Sequence, residues 1–349
     1  MRLGQIKKQA FVLSLGFYYF CILKSNSPMY LTPLLSLFGN LEQLDAVRLN
    51  FNQGSINLMN IAIAFIMFGV ALSIKPKHFK VLILSPKPVV LGVIAQYVLL
   101  PALTFLLVII LRPTTAVALG MILVAACPGG NVSNLISSIS RSNVTLSVSL
   151  TAITTVMSLF MTPFNFAFWG GLYAKHSPLL VPISIDPVEM FRTVFLILGI
   201  PVMLGMFVGM KFPSFTKRVD KPVQAASVIF FVGFIVAALA GNFDLFLRYI
   251  HLIFFLMLIH NGLAYMSGYY FPKAFKVSEI NCRTISIETG IQNSGLGLAL
   301  IFNPRIFPSE LQLGGMAFIA AWWGVWHIIA GLILAFYWRR RIVSPEPIR

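Results

Sequence analysis

Two polar sequences interrupt apolar segments of the chain: CPGGNVSN at 127–134 and ETGIQNSG at 288–295. The first lies within the apolar stretch 116–140 and the second within 280–303. An ordinary lipid-facing helix does not carry glycine, proline and several amide or hydroxyl side chains at its centre. Broken backbone is tolerated at membrane depth only where protein or a water-filled cavity supplies hydrogen-bond partners. The two sequences therefore predict a pair of discontinuous helices, each divided near its middle.

The composition indicates a polytopic membrane protein. Hydrophobic residues make up 58% of the 349 residues and charged residues only 10%, whereas soluble domains have roughly 45–50% apolar and about 25% charged residues. The formal net charge of +16 would suggest nucleic acid in a soluble protein, but here the basic residues lie between apolar segments. We therefore expect no nucleic-acid partner. Cys21, Cys127 and Cys282 are too few and too scattered for a disulfide framework or a metal cluster, and we expect free thiols.

Seven apolar segments are long enough to cross a bilayer, which takes roughly 20 helical residues. The shorter segment 9–23 follows three basic residues and could be a signal peptide. No small-residue cleavage site follows Leu23, so we expect a first transmembrane helix there. The seven longer segments lie near 56–74, 88–111, 144–172, 191–210, 222–240, 249–271 and 312–338.

The two interrupted segments occupy corresponding positions in the chain. About 40 residues separate Pro88 from the first break and Tyr249 from Glu288, and one long apolar segment follows each break. With the first helix included, each half has five spans and the interrupted helix is the fourth. Because five is odd, the second half enters the membrane from the opposite side, which predicts ten transmembrane helices as two inverted five-helix repeats. The predicted regions are an N-terminal segment at 1–55, the remainder of repeat one at 56–172, repeat two at 173–340 and a tail at 341–349.

The distribution of basic residues predicts the orientation. With ten spans, nineteen lysine and arginine residues fall on one side of the membrane and seven on the other. Because cytoplasmic loops carry the excess of positive charge, both termini are expected in the cytoplasm. If the first helix were absent, the N-terminus alone would change sides.

Glu288 is the one acidic residue inside an apolar segment, since the other nine lie in loops, in the tail or at segment ends. A charge at the centre of a membrane helix costs roughly 2.5–3.5 kcal/mol on insertion scales, so an intramembrane carboxylate indicates a functional site. No lysine or arginine lies in the apolar core to neutralise it. We therefore expect its partner to be a bound cation or a proton.

Oxygen-bearing groups accompany Glu288. Gln292 lies four residues on and shares its helical face, and Gly290 lets the backbone unwind so that carbonyls turn inward. Hydroxyl, amide, carbonyl and carboxylate oxygens suit a hard cation, whereas zinc or copper would require clustered histidine or cysteine. The first break and the following helix add Ser133, Asn134, Ser147 and Thr151.

Each of these residue types also has a structural explanation. Serine and threonine, such as Ser147 and Thr151, often bond their own helix or join neighbouring helices. Gln96, an amide in an apolar segment, could form an interhelical hydrogen bond. His327 could sense pH or contact substrate, or could pack and bond a carbonyl. Cys127 could bind a soft oxyanion such as arsenite, or could be a small residue before a helix break.

These motifs resemble those of the bile acid:sodium symporter family. Within that family, the chain resembles a bacterial-type member. The resemblance rests on 127–134, 288–296 and RSNVTLSVSLT at 141–151, in the family's order. It covers most of the chain, from about residue 56 to 338. The longer connection 24–55 departs from the family's bacterial members. Supporting matches are FGVAL at 68–72 before Lys75-Pro76, GVIAQ at 92–96, HNG at 260–262 and VWH at 325–327.

The resemblance implies a panel domain and a core domain, with the two interrupted helices crossing in the core. It also implies two sodium sites and no other metal or cofactor. The first site would use Ser133, Asn134, Ser147, Thr151 and Glu288. The second would use Gln96, Gln292, Glu288 and the backbone carbonyls of Thr289 and Ile291.

Half-helices that begin near Asn131 and Asn293 would direct backbone N–H groups and positive dipole ends at the crossing, where an anionic group can bind. The sequence thus predicts a sodium-coupled symporter that imports an organic anion, bile acid-like or a small carboxylate, by alternating access. The expected substrate contacts are Asn131, Val132, Asn293, Ser294 and His327.

The alternative is a proton- or thiol-dependent efflux carrier of the related arsenite or auxin type. An enzyme is not expected, because no catalytic constellation is found in the sequence. We expect a multi-pass protein of the bacterial inner membrane with a cytoplasmic C-terminus. Its partners would be sodium, the organic anion and the lipid bilayer, with no obligatory protein partner.

Overall fold

The computed structural model describes residues 41–45, 53–72, 74–130, 132–174, 186–240, 243–303, 306–307 and 313–341, all within the unit Leu41–Arg349. Within these ranges the chain is helical and has no β-strand, so the predicted all-α class is confirmed. The expected first helix at 9–23 lies outside the described residues. The helices are α1 (Glu42–Asp45), α2 (Gln53–Leu72), α3 (Pro76–Leu84), α4 (Pro86–Leu111), α5 (Thr115–Ala126), α6 (Val132–Ile139), α7 (Val144–Ala174), α8 (Pro187–Lys211), α9 (Pro213–Ala240), α10 (Phe243–Ala274), α11 (Glu279–Gly290), α12 (Ser294–Ile301) and α13 (Gly314–Arg339).

Four helices in the described ranges are long and apolar enough to cross a membrane: α4, α7, α8 and α13. Shorter apolar helices are α5 and the stretch Asn60–Leu72 of α2. Large apolar side chains such as Leu106 and Phe207 are exposed on these helices, a surface that suits lipid and not water. These features identify an integral membrane protein, and the count of ten spans stays a prediction.

α4 contains a π-helical turn at Ala95–Leu99, two residues before Pro101. Proline has no N–H to donate to the carbonyl four residues earlier, and here the N–H of Leu100 reaches back five residues to the carbonyl of Ala95. Gln96 lies in this widened turn and is buried. Similar turns in α7 and α8 are at Phe166–Gly170 and Phe195–Gly199.

α4 and α7 lie side by side and run in the same direction, before and after the first interrupted helix. Val89 and Leu146 share an apolar cluster near the beginnings of the two helices. Further along, the Tyr97 hydroxyl donates to the Thr154 carbonyl at 2.5 Å. Because residue numbers rise together in these contacts, the two helices are parallel.

α10 and α13 have the same relation around the second interrupted helix. The rings of His260 and Trp323 lie 4.8 Å apart, and the Tyr265 hydroxyl donates to the His327 carbonyl at 2.8 Å. Residue numbers again rise together, so α10 and α13 are parallel.

We call α4–α7 the first unit and α10–α13 the second unit. The long helices of the two units run in opposite directions. Thr104 Oγ1, near the end of α4, lies 2.9 Å from Nε2 of His260 in the middle of α10. Phe271, near the end of α10, packs on the cluster that contains Val89 at the beginning of α4. The residue numbers rise on one helix as they fall on the other, so α4 and α10 are antiparallel.

The first halves of the interrupted helices are α5 and α11. Each of them packs on the last helix of the other unit. A Cβ on Gly120 of α5 would lie 2.8 Å from the Cα of Met316 on α13, so these backbones approach closely. The N–H of Asn143, at the start of α7, donates to Oγ1 of Thr284 on α11 at 2.9 Å. This reciprocal packing brings the two breaks together.

The two breaks pair through their backbones. α5 ends before Cys127, whose extended conformation follows from the proline after it. The N–H of Gly130 donates to the Ile291 carbonyl at 2.9 Å, and the N–H of Asn293 donates to the Pro128 carbonyl at 2.8 Å. Backbone groups that would be unpaired in lipid thus find protein partners at the crossing, as the sequence predicts.

A second group consists of α2, α8 and α9. Gly205 and Gly209 of α8 approach the backbone of α2 so closely that added Cβ atoms would lie 2.5 Å from the Phe68 carbonyl and 2.7 Å from the Leu72 carbonyl. Gly69 of α2 faces α9 in the same close manner. Small residues let these helices pack at short distance, as is common in membranes.

Candidate ion and substrate site

The Glu288 carboxylate is buried on α11 and surrounded by hydroxyl groups. Ser133 of α6 and Ser147 of α7 donate to Oε1, each at 2.5 Å. Thr151 Oγ1 lies 3.0 Å from Oε1 and 3.1 Å from Oε2, and Asn134 Oδ1 lies 3.3 Å from Thr151 Oγ1. The residues predicted for the first sodium site therefore form one cluster.

Local structure places these side chains. α6 begins at Val132, so Ser133 and Asn134 are part of its first turn. Asn143 caps α7 by accepting the N–H of Leu146 at 3.0 Å. Ser147 and Thr151 then lie four residues apart on one face of α7 and point at α11.

Glu288 has no basic partner in the described part of the chain. The ion pairs found there involve Glu189 and Glu279, and none involves Glu288. An ionised carboxylate is costly to bury without an opposite charge, and neutral hydroxyls supply none. The cluster thus has oxygen ligands for a hard cation and one negative charge that such a cation would neutralise.

A second polar cluster lies at the crossing beside Glu288. The Gln96 amide donates to Oε1 of Gln292 at 2.7 Å and to the Cys127 carbonyl at 3.0 Å, so Gln96 contacts both breaks. Gln292 Nε2 donates to the Thr289 carbonyl at 2.7 Å. The Ile291 carbonyl accepts the N–H of the facing break, as described above. The groups predicted for the second sodium site therefore also meet.

Gly129 lies directly against Glu288. A Cβ at this position would lie 2.9 Å from Oε2 and 3.3 Å from the carbonyl oxygen of Glu288. At Gly130 the nearest atom would be 3.5 Å away, an ordinary contact. Close approach therefore requires glycine at 129 and not at 130.

α11 ends at Gly290, and the next residue, Ile291, has an extended conformation. No glycine in the described ranges has a positive φ, so the break does not use the left-handed conformation of this residue. A Cβ on Gly290 would collide with the ring of Tyr265. Glycine is needed here because α10 packs its tyrosine ring onto the last turn of α11.

Of the predicted substrate residues, Asn293 and Ser294 lie at the second break, and Asn131 is outside the described residues. Asn293 caps α12 by accepting the N–H of Leu296 at 3.0 Å, and its Nδ2 lies 3.6 Å from Sδ of Met67 on α2. Ser294, buried, is the first residue of α12. Val132 begins α6. The start of α12 therefore meets the second helix group at α2.

His327 is buried on α13, and neither ring nitrogen has a hydrogen-bond partner among the described residues. Its backbone carbonyl, rather than its ring, makes the hydrogen bond to Tyr265. The structure therefore places an unpaired imidazole inside the protein, between α13 and its neighbours.

The sequence analysis expects no lysine or arginine in the apolar core, but Arg283 lies buried within α11. Its guanidinium pairs with Glu279 at 3.1 Å and donates to the Trp338 carbonyl at 3.2 Å. The spacing of four residues between Glu279 and Arg283 is the signal that could have revealed this pair. Because Arg283 is already paired at the start of α11, it does not neutralise Glu288.

Asn261 was also not among the predicted ligands. It lies on α10, fully buried, and donates to the Gly290 carbonyl at 2.9 Å. An asparagine in the middle of an apolar helix, within the sequence HNG at 260–262, is the signal that could have singled it out.

Comparison with known proteins identifies the family. The model described as the Sodium Bile acid symporter family matches residues 60–248, more than half of the chain. The chain belongs to this family. The matched range contains Gln96 and the hydroxyl residues of α6 and α7 that contact Glu288, and the resemblance inferred from the motifs is confirmed.

Three proteins named as sodium-dependent transporters or cotransporters are similar over most of the chain. The uncharacterized sodium-dependent transporter YocS of Bacillus subtilis (strain 168) is 34% identical over 295 residues, which are 82% of this chain and 85% of that protein. The probable sodium/metabolite cotransporter BASS1, chloroplastic, of Arabidopsis thaliana is 29% identical over 293 residues, 83% of this chain and 69% of that protein. The sodium/bile acid cotransporter 5 of Rattus norvegicus is 31% identical over 218 residues, 62% of this chain and 49% of that protein.

Proposed function

We propose that the protein is a sodium-coupled secondary active transporter that imports an organic anion. The observation that carries the proposal is the buried Glu288 carboxylate, surrounded by hydroxyl oxygens and without a basic partner in the described residues. A monovalent hard cation would neutralise this charge and accept these oxygens as ligands. Family membership supports sodium as that cation, since the related proteins are named as sodium-dependent transporters or cotransporters.

The proposal includes two sodium ions that share Glu288. The first would bind Ser133, Asn134, Ser147, Thr151 and Glu288. The second would bind next to the crossing, where Gln96 and Gln292 are in contact. The carbonyls of Thr289 and Ile291 would complete the second site, because a carbonyl oxygen retains a second lone pair after it accepts one hydrogen bond.

The anion would bind where the second half-helices begin. The N-terminus of α12 carries the positive end of the helix dipole, which favours a carboxylate or sulfonate. Asn293 faces Met67 of α2 at this point, so the proposed site lies between the crossing and the second helix group. The proposed contacts are Asn131, Val132, Asn293, Ser294 and His327.

The proposed architecture is ten helices in two inverted five-helix repeats, with boundaries near 56–172 and 173–340. The parallel pairs α4–α7 and α10–α13, together with the antiparallel pair α4–α10, support the inversion. We assign α2, α8 and α9 to a panel domain that would rock against the crossing helices to give alternating access. By the positive-inside rule, the C-terminus would lie on the cytoplasmic side of a bacterial inner membrane.

Sodium and the anion would bind with positive coupling. Sodium at the crossing adds positive charge behind the anion site and joins the two breaks, and the anion in turn stabilises the same geometry. Two sodium ions with one monoanion carry one net positive charge per cycle. An inside-negative membrane potential should therefore accelerate uptake, and voltage-insensitive uptake would contradict this stoichiometry.

The test is uptake by the purified full chain in proteoliposomes. Labelled anions of different size, a steroid acid and several small hydroxy or keto acids, are offered under an inward sodium gradient or a matched potassium gradient. A thermal-shift screen of the same anions with and without sodium selects the candidates, because a ligand stabilises by RT ln(1+[L]/Kd). Accumulation under sodium alone supports the proposal, and equal accumulation under potassium rejects it.

A further inference from the structure

An amide side chain holds the end of each first half-helix in the same way. In the first unit, Gln96 of α4 donates to the carbonyl of Cys127, the residue after α5, at 3.0 Å. In the second unit, Asn261 of α10 donates to the carbonyl of Gly290, the last residue of α11, at 2.9 Å. α4 and α10 hold matching places, since each is the long helix before an interrupted one.

A tyrosine near each amide repeats the correspondence. Tyr97, next to Gln96, donates to a carbonyl of α7, and Tyr265, one turn after Asn261, donates to a carbonyl of α13. Both acceptor helices are the long helices that follow the breaks. Two independent contacts thus relate the units, and they make Asn261 the counterpart of Gln96.

The surroundings of Asn261 indicate why an amide is present. The residue is fully buried, and its Oδ1 has no hydrogen-bond partner among the described residues. Exchanging the amide oxygen and nitrogen would bring two acceptors together at Gly290, so the donor must face that carbonyl. A buried amide with one unsatisfied atom is unfavourable for packing alone. The bond to Gly290 is therefore the specific contribution of this side chain.

The Gly290 carbonyl is adjacent to the proposed ligands of the second sodium. α11 ends at this residue, and carbonyls in the last turn of a helix lack intrahelical partners and can rotate. The bond from Asn261 directs the Gly290 carbonyl toward α10. The flanking carbonyls of Thr289 and Ile291 remain on the crossing, where Gln292 contacts Gln96.

We infer that Asn261 is a positioning residue for the second sodium site: it fixes the end of α11 so that Thr289, Ile291 and Gln292 face Gln96. This inference rests on the proposed function. It assigns to an amide outside the ion cluster a measurable contribution to sodium affinity. The contribution should be separate from substrate affinity and from the maximal rate.

The experiment compares Asn261→Ala and Asn261→Leu with the wild type in proteoliposomes. Alanine leaves a cavity and leucine fills the space, so a common effect of both variants reports the lost hydrogen bond. We expect the sodium concentration for half-maximal uptake to rise about tenfold in both. The substrate KM and the maximal rate at saturating sodium should change less than about twofold. The sodium-induced rise in Tm without substrate should shrink in parallel.

Ser267→Ala is the matched control. Ser267 is buried on the same helix, and among the described residues its hydroxyl bonds only its own helix, at the Ala264 carbonyl. This variant should retain the wild-type sodium dependence. An unchanged half-maximal sodium concentration in both Asn261 variants, a fall in maximal rate alone, or an equal shift in Ser267→Ala would overturn the inference. Sodium-independent uptake by the wild type would instead reject the proposed function.

Discussion

The two interrupted helices have the same form but different chemistry. α5 is buried along its length from Ala116 to Ala126 and carries no charged side chain. α11 is buried from Cys282 to Gly290 and carries Glu288 within the buried part. Both halves of the chain build the backbone of the crossing, whereas the charge that would hold a cation comes from the second half alone. The site is thus asymmetric in a nearly symmetric frame.

Glu288→Gln removes this asymmetry and should have the largest effect. The amide keeps the shape of the side chain but not its charge, so we expect sodium-dependent uptake to fall about hundredfold or more. The Tm without sodium should be unchanged or higher, because a neutral group is less costly to bury. The sodium-induced rise in Tm should disappear.

A control for this variant is Glu189→Gln on α8, which alters a partly exposed ion pair with Arg192. Such pairs contribute little to stability, and uptake should stay within about twofold of the wild type. Wild-type sodium stabilisation in Glu288→Gln would contradict the assignment of this carboxylate to ion binding.

Gly129→Ala and Gly130→Ala test how closely the first break approaches the second. The Cβ at 129 would press on the Glu288 carboxylate, whereas that at 130 would make an ordinary contact with Ile291. We expect Gly129→Ala to raise the half-maximal sodium concentration about tenfold, since a one-ångström displacement of a positioned group has large effects. Gly130→Ala should change it less than about twofold. Similar behaviour of the two variants in sodium titrations would show that the breaks do not meet as closely as described.

The positions of both breaks and of the buried charge could be predicted from the sequence. Proline and glycine at 128–130 and the polar residues after Glu288 located both breaks, because such residues are unfavourable in a continuous lipid-facing helix. The lone intramembrane carboxylate identified the asymmetric charge for a similar reason. α6 and α12 begin at Val132 and Ser294, beside the predicted Asn131 and Asn293.

What could not be predicted depends on tertiary contacts. Gly290 was expected to relax the backbone, and the further reason for glycine is the Tyr265 ring, which comes from another helix. The burial of Arg283 was not expected, because the sequence does not show that Glu279 and the distant Trp338 carbonyl both bind its guanidinium. Asn261 pairs with a residue 29 positions away, and one sequence without tertiary contacts does not reveal such a pairing.

Ser147→Ala and Ser149→Ala separate ligand hydroxyls from structural ones on α7. Ser147 donates to Glu288, whereas Ser149 donates to the carbonyl of Thr145 in its own helix. Because other oxygens remain around the carboxylate, we expect Ser147→Ala to raise the half-maximal sodium concentration only about fivefold. Ser149→Ala should leave it unchanged. Equal effects in sodium-dependent uptake would indicate that both serines only support helix packing.

Cys127→Ala should have the smallest effect, because the first break contributes backbone and not side-chain chemistry at this position. The residue is fully buried as a free thiol, and its carbonyl, which alanine retains, accepts the bond from Gln96. The lost sulfur lies against Gly297 and leaves only a small cavity, so sodium-dependent uptake should stay within about twofold and stability within about 1 kcal/mol. A thiol-dependent efflux carrier would instead lose transport in this variant and would show no sodium requirement. The same uptake measurement therefore distinguishes that alternative from a carrier whose ion chemistry uses the oxygen groups around Glu288 and not the Cys127 thiol.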